Sequence, residues 1–195
     1  MQRADAVRRR GAVRMVIAAL AVPVALIVTA CAAGPPARLA PPIPGDQLDL
    51  AGFATSPCDL LRADRVVRRH LSVPGVVVND ATGRVCRWNR TDSTHASIAV
   101  SADMHHDLEW VYQHRSEYGS FRPTAVSNYP AADTTAAGHT PLEGSCTSRV
   151  GIAGGNLLIV TADYLRPRSR FTQRDACQEA ESVGFEIITQ LMGTS

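Results

Sequence analysis

The first 31 residues decide the compartment in which this chain folds, and therefore which bonds can hold it. Five arginines (Arg3, Arg8, Arg9, Arg10 and Arg14) precede an apolar run from Met15 to Val28, and Thr29 and Ala30 lead into Cys31. A basic stretch, an apolar stretch and small residues in that order form the anatomy of an export signal. A thiol at that point is placed to take a diacylglycerol and then become the new amino terminus. Residues 1–30 are accordingly read as a lipoprotein signal peptide and Cys31 as the lipidation site. Its acyl chains, palmitate among them, bury ~0.8 kcal/mol per methylene, and two or more of them anchor stably where one is marginal. The domain is then expected at the cell membrane, lipid-anchored and facing outside the cytoplasm. An uncleaved anchor is the rival reading, because Met15 to Ala33 is an uncharged stretch of 19 residues, close to the ~20 that span a bilayer. Pro23 and the small residues at its end weigh against it.

Removing the signal reverses the charge. The whole chain has 20 basic and 18 acidic residues, and the signal holds five arginines and one aspartate, so 15 and 17 remain, formally −2. The basic character of the full sequence belongs to the signal, and a nucleic-acid partner is not expected. Five of the 20 residues from Ala32 to Ala51 are proline, with no apolar period. Residues 31–51 therefore read as a lipidated cysteine and a Pro-rich tether, reaching up to roughly 60 Å in polyproline geometry. Residues 52–195 suit a single domain large enough to bury a core.

With Cys31 assigned to lipid, an even set remains: Cys58, Cys86, Cys146 and Cys177. Four cysteines allow three pairings. Cys58 with Cys86 and Cys146 with Cys177 is the favoured one, since each joins a predicted helix to a nearby strand in its own half of the domain. Separations near 30 residues fit no zinc pattern, and an oxidising compartment favours disulfides.

Ser56 as N-cap and Pro57 in the first turn open a predicted helix whose apolar face is Leu60, Leu61, Val66, Val67 and Leu71. Val76–Val78, Val85–Trp88 and Ala96–Ser101 are β-branched or alternating runs and read as strands, with Asp80–Gly83 as a turn. Asp103–Tyr118 lacks Gly and Pro and predicts a second helix. Thr124–Val126 reads as a short strand followed by a loop rich in Ala, Thr and Asp. Ser145–Ile152 and Leu157–Tyr164 flank Ala153, Gly154, Gly155 and Asn156, which is a hairpin signal. Arg174–Met192 places Cys177, Ala180, Gly184, Ile187 and Leu191 on one helical face. The expected fold is α+β: an antiparallel sheet packed by N-terminal, middle and C-terminal helices, with two disulfides.

Pro57-Cys58-Asp59-Leu60-Leu61, Cys86-Arg87-Trp88, Gly144-Ser145-Cys146 and Ala176-Cys177-Gln178-Glu179-Ala180, behind a lipobox and a Pro-rich tether, resemble the actinobacterial lipoproteins typified by LprC and LprB, a family of unknown function. The resemblance spans about Gly52 to Ser195 and implies the same two disulfide pairings. Arg62-Ala63 stands where that family commonly has Thr-Pro, at the boundary of the first helix. The resemblance brings no catalytic residues.

The densest set of possible metal ligands is His105 and His106 with Asp103, Asp107 and Glu109, and His106, Trp110 and His114 step by four. Their spacing is not that of a zincin helix, and an exposed polar face looks the same. Gly151, Gly154 and Gly155 sit between two strands, so they read as a hairpin turn and not as a phosphate loop. No nucleophile elbow is present and the remaining cysteines are expected to be oxidised, so no enzyme, cofactor or metal is assigned. Arg62, Arg65 and Arg69 on one helix face, and Arg166, Arg168, Arg170 and Arg174 before the last helix, read as solvated surface. The expectation is a noncatalytic envelope lipoprotein that binds a partner protein or an envelope component such as a glycan. The alternatives are a carrier of an apolar ligand, with a cavity near Val111, Ile152, Ile159 and Ile187, and a metal-binding protein using the histidine-rich helix.

Overall fold

A computed structural model of the chain describes residues 37–44, 48–80, 82–91, 96–138, 144–152, 154–164 and 173–193. The signal peptide, the lipidation site Cys31 and the arginines at 166, 168 and 170 lie outside them. No described helix is long and apolar enough to cross a membrane.

Seven strands form one antiparallel sheet: β1 (Val76–Asp80), β2 (Gly83–Asn89), β3 (Ala96–Asp103), β4 (Ser120–Val126), β5 (Tyr129–Thr135), β6 (Ser145–Ile152) and β7 (Asn156–Tyr164). Their order is β1-β2-β3-β7-β6-β5-β4. Two meanders thus meet where β3 pairs with β7, from Ala96 opposite Tyr164 to Asp103 opposite Leu157. Tight turns set the registers. Asp80 accepts hydrogen bonds from the backbone and hydroxyl of Thr82 at 2.8 and 2.7 Å, and Gly83 follows at φ +115°. Between β4 and β5, Ser127 and Asn128 both take positive φ (50° and 67°), the requirement of a two-residue hairpin whose twist matches its strands.

One face of the sheet carries the main core. The helix α3 (Gln173–Met192) lies against β4, β6 and β7, burying Ala180, Val183, Ile187 and Ile188 on Val126, Val150 and Val160. Gly184 permits this approach: a β-carbon there would sit 3.4 Å from Val126 and 3.8 Å from Val160. Leu48, Leu50, Leu60 and Leu61 join the same core, where the segment Ala51–Leu60 packs on β2 and β3. Cys58–Cys86 and Cys146–Cys177 are bridged, the pairing expected from locality.

Four expectations are corrected by this arrangement. The tether does not extend to Ala51, for Leu48 and Leu50 are buried and Glu109 holds the backbone N–H groups of Leu39 and Ala40. Those bonds pull the Glu109 carboxyl below its usual range, Ala40 most and Leu39 next. The first helix breaks in two. A 3-10 turn covers Pro57–Leu60, Leu61 and Arg62 are extended, and only α1 (Ala63–Arg68) is α-helical, because the Cys58 bridge and the burial of both Leu60 and Leu61 hold the first turn apart.

The second helix shrinks to α2 (Leu108–Gln113) with a 3-10 turn at Arg115–Glu117. Asp103 accepts the N–H groups of His105 and His106 at 2.8 and 3.2 Å, a side-chain turn that competes with helix, and Asp107 caps α2 through Trp110 N–H at 2.8 Å. The loop after Val126 is β5. Its Pro130 is tolerated because the two-residue turn pairs Val126 with Tyr129, which directs the nitrogen of Pro130 away from β4, and pairing with β6 begins only at Ala131.

Arg69 ties α1 to α3. At 13% side-chain exposure it donates to Glu179 at 2.9 Å, Ser182 at 2.7 Å and Glu186 at 3.0 Å. Arg69→Met keeps the volume but leaves two half-buried carboxylates facing each other, so a loss of about 2 kcal/mol is expected in urea unfolding. Arg69→Lys should recover little of it, since one ammonium cannot serve three acceptors on two turns of α3.

Candidate functional site

On the second face of the sheet a helix covers only part of the width, over β5 and β6. Leu108, Val111 and Tyr112 of α2 pack on Ala132, Leu157 and Ile159, with Tyr118 and Phe121 at the margin. The rest of this face, over β2, β3, β7 and β6, bears no helix among the described residues. Cross-strand register places Arg87, Ala99, Thr161 and Thr147 in one row, and Ser101, Ile159 and Arg149 in the next. Small side chains in the middle and arginines toward both ends make a trough of about 250 Å³, closed at one end by Asp80 and Thr82.

Arg149 dominates its chemistry. It is half-buried, its Nε donates to Thr134 Oγ1 at 3.2 Å, and its guanidinium carbon lies 5.2 Å from the Tyr118 ring centre. Burial works against its charge and lowers its pKa, while Tyr118, Asp103 and Asp80 favour the charged form. The Tyr118 hydroxyl is pushed up by burial, opposed by Arg149. The Thr147 and Thr161 hydroxyls share a hydrogen bond at 3.0 Å.

The side chains of the histidine segment are engaged locally. His105 and His106 precede α2 and do not lie on it. Asp103 Oδ2 meets His106 Nδ1 at 2.9 Å, Asp107 is spent on the cap, and Glu109 on the backbone of Leu39 and Ala40. His114 Nδ1 lies 2.8 Å from the Trp110 carbonyl, and Trp110 stacks between His106 and His114 with ring centres 4.1 Å from each. Among the described residues, the group of donors close enough to share an ion is Asp133, Cys146 and Cys177, and both cysteines are in a disulfide.

The remaining candidates also disperse. Val111 and Ile159 belong to the α2 cluster, whereas Ile152 and Ile187 lie in the main core on the other side of the sheet, so the four residues expected to line one apolar cavity do not share one. Arg62, Arg65 and Arg69 do not form a common face: Arg62 precedes α1 beside Asp64, Arg65 is exposed on α1, and Arg69 is the internal tie to α3. Gly154 and Gly155, at φ +90° and +80°, make the β6–β7 turn as expected. Arg149, Arg87, Tyr118, Thr147 and Thr161 were not singled out by sequence. The alternation of Thr147 and Arg149 with buried Cys146, Ser148 and Val150 carried a signal that both face the same side. Only the pairing of β3 with β7 places Arg87 and Ser101 beside them.

No curated protein matches the chain. The family model described as a protein of unknown function, DUF3558, matches residues 26–189, a span running through all seven strands and most of α3. The chain belongs to this family of unknown function.

Proposed function

We propose that the protein is a membrane-anchored envelope lipoprotein of the LprC/LprB type, noncatalytic, whose domain binds a partner protein or envelope component through the polar trough on the second face of its sheet. The observation that carries the reading is the asymmetry of the sheet. One face is closed by α3 and the segment before β1, while the other carries α2 over β5 and β6 and, beyond it, a small polar trough whose floor on β3 is buried and whose arginines and threonines on β2, β6 and β7 reach the surface. A concave, partly polar surface is where ligands bind. The trough offers arginine and hydroxyl groups for binding, and its carboxylate, Asp80, is engaged by Thr82. Two disulfides suit an oxidising compartment, and Cys31 supplies the anchor.

A photo-crosslinking residue at Thr82, on the trough's rim, should capture a reproducible partner in intact cells, while the same residue at Phe185, on the outer side of α3, should not. Equal capture from both positions, or none from Thr82, overturns the binding face. Cys31→Ala should release the protein from the membrane fraction and remove the acyl mass. Continued membrane retention at an unchanged mass overturns the anchor.

A further inference from the structure

Three described arginines are half-buried: Arg69, Arg90 and Arg149. Arg69 is neutralised by Glu179 and Glu186, and Arg90 by Glu179 at 3.7 Å. Arg149 has no carboxylate within 4.0 Å among the described residues. Its nearest acids, Asp103 and Asp80, act on it only across a distance, and each is held by other groups, Asp103 by His106 and Asp80 by Thr82. A guanidinium keeps its charge in any protein environment, and removing it from water without a counter-charge is costly. The fold nevertheless fixes it, by the bond to Thr134 and the stack on Tyr118. Arg149 also lines the trough, together with the hydroxyl-bearing Ser101, Thr147 and Thr161.

We propose that this trough is an oxyanion site, in which a carboxylate or phosphate group of the ligand pairs with the guanidinium of Arg149, accepts from whichever hydroxyl of the Thr147–Thr161 pair is not donating to the other, and is closed on its outer side by Arg87. The inference rests on the reading of the trough as the binding surface and names the chemistry recognised there. Two parallel charge-assisted hydrogen bonds to one planar cation give both strength and orientation. A volume of about 250 Å³ is below the usual range for a whole drug-sized ligand, so it admits the charged group while the rest of the ligand lies along the sheet. Asp80 at the end of the trough repels a second negative charge there, which favours a singly charged group or one with a hydroxyl or amine beside it.

The test uses the full-length protein in detergent micelles at constant ionic strength, titrated with inorganic phosphate and with acetate, with chloride as the control. Both anions should shift, saturably, the arginine Nε–H resonance that is missing from Arg149→Met, and that variant should bind at least about tenfold more weakly. Thr161→Val leaves the arginine's packing intact and should weaken binding by a few-fold, which keeps the test decisive if Arg149→Met does not fold. Shifts no larger than those with chloride, or equal binding by wild type and both variants, overturn the site. Phosphatidylglycerol added to the micelles separates the sources: an Arg149-dependent shift of the same resonance identifies a lipid headgroup, and no shift beside a normal phosphate response identifies a soluble or peptide-borne anion. Crosslinking from Thr82 that survives Arg149→Met, with no anion response, removes the oxyanion site and keeps the binding face. A normal anion response without any Thr82 crosslink does the reverse.

Discussion

Replacing Cys146 and Cys177 together by alanine is expected to destabilise the domain by about 4 kcal/mol, the chain-entropy value for a closed loop of this size. The two residues are 31 apart in sequence, and the loop they close contains the whole of β7. Both are buried, among Ala96, Tyr164 and Ala176. Their bridge fixes the first turns of α3 to the start of β6, and α3 supplies Val183, Ile187 and Ile188 to the main core. Without the bridge, docking of that helix depends on apolar contact and on its polar ties, Arg69 to Glu179 and Glu186 and Glu181 to Arg122 and Thr124. Urea unfolding should show a lower midpoint and a steeper dependence on denaturant, because the released unfolded chain exposes more surface. A loss below about 1 kcal/mol would mean that the denatured chain is not constrained by the bridge. The corresponding Cys58→Ala/Cys86→Ala pair closes a loop of 28 and should cost nearly as much in the same model, through the 3-10 turn at Pro57–Leu60.

What was legible in the sequence depended on whether a local period survives burial. β6 and α3 were readable because each has one buried and one more open face, so Cys146, Ser148 and Val150 alternate and Cys177, Ala180, Ile187 and Leu191 recur by three and four. β5 was not: Ala131 to Thr135 are small or polar on both faces and show no apolar alternation, whereas β3, just as fully buried, keeps Ile98 and Val100 alternating with Ala99 and Ser101. Its partner β4 carries Pro123, which reads as a strand breaker and is accommodated only because β4 is an edge strand. The cysteine pairing was legible from locality, while the trough was not. Its walls come from β2, β3, β6 and β7, and the β3–β7 pairing that joins them spans two whole meanders. The end of the Pro-rich segment is hidden from sequence for a similar reason: proline describes backbone stiffness, and the docking of Leu48 and Leu50 depends on an apolar surface built later in the chain.

Stability is expected to rise as pH falls from 8 to 5, and Asp133→Asn should abolish most of that rise. Asp133 is buried on β5 beneath α3, at 2% side-chain exposure. Burial is the main cause lifting its carboxyl from an ordinary 3.8 to about 7, with the hydrogen bond and negative charge of Glu181 adding to it, while Arg122 and, less strongly, Ser148 pull it down. Glu181 comes from α3, Arg122 from the adjacent position on β4 and Ser148 from β6. Arg122 engages Asp133 Oδ2 directly, whereas Asp133 Oδ1 and Ser148 Oγ are both buried without a hydrogen-bond partner, so the carboxyl is only half satisfied and its burial favours the protonated form. Between the unfolded value and about 7 the native state binds a proton that the unfolded chain has lost, so lowering the pH through this window favours folding. Above about 7 both states are ionised and the contribution is gone. For a group this buried the swing is on the order of 2 to 4 kcal/mol across the full window. Asp133→Asn cannot titrate, so the difference between the two proteins, followed by urea unfolding at pH 5, 6, 7 and 8, isolates this group from the histidines. The asparagine variant should be at least as stable as wild type at pH 8 and less favoured at pH 5. Glu181→Gln, which removes the neighbouring negative charge, should move the wild-type transition to lower pH. Parallel stability profiles for wild type and Asp133→Asn would show that Asp133 ionises at its ordinary pH in the fold, and that the contact between α3 and the β4–β5 edge carries no buried proton.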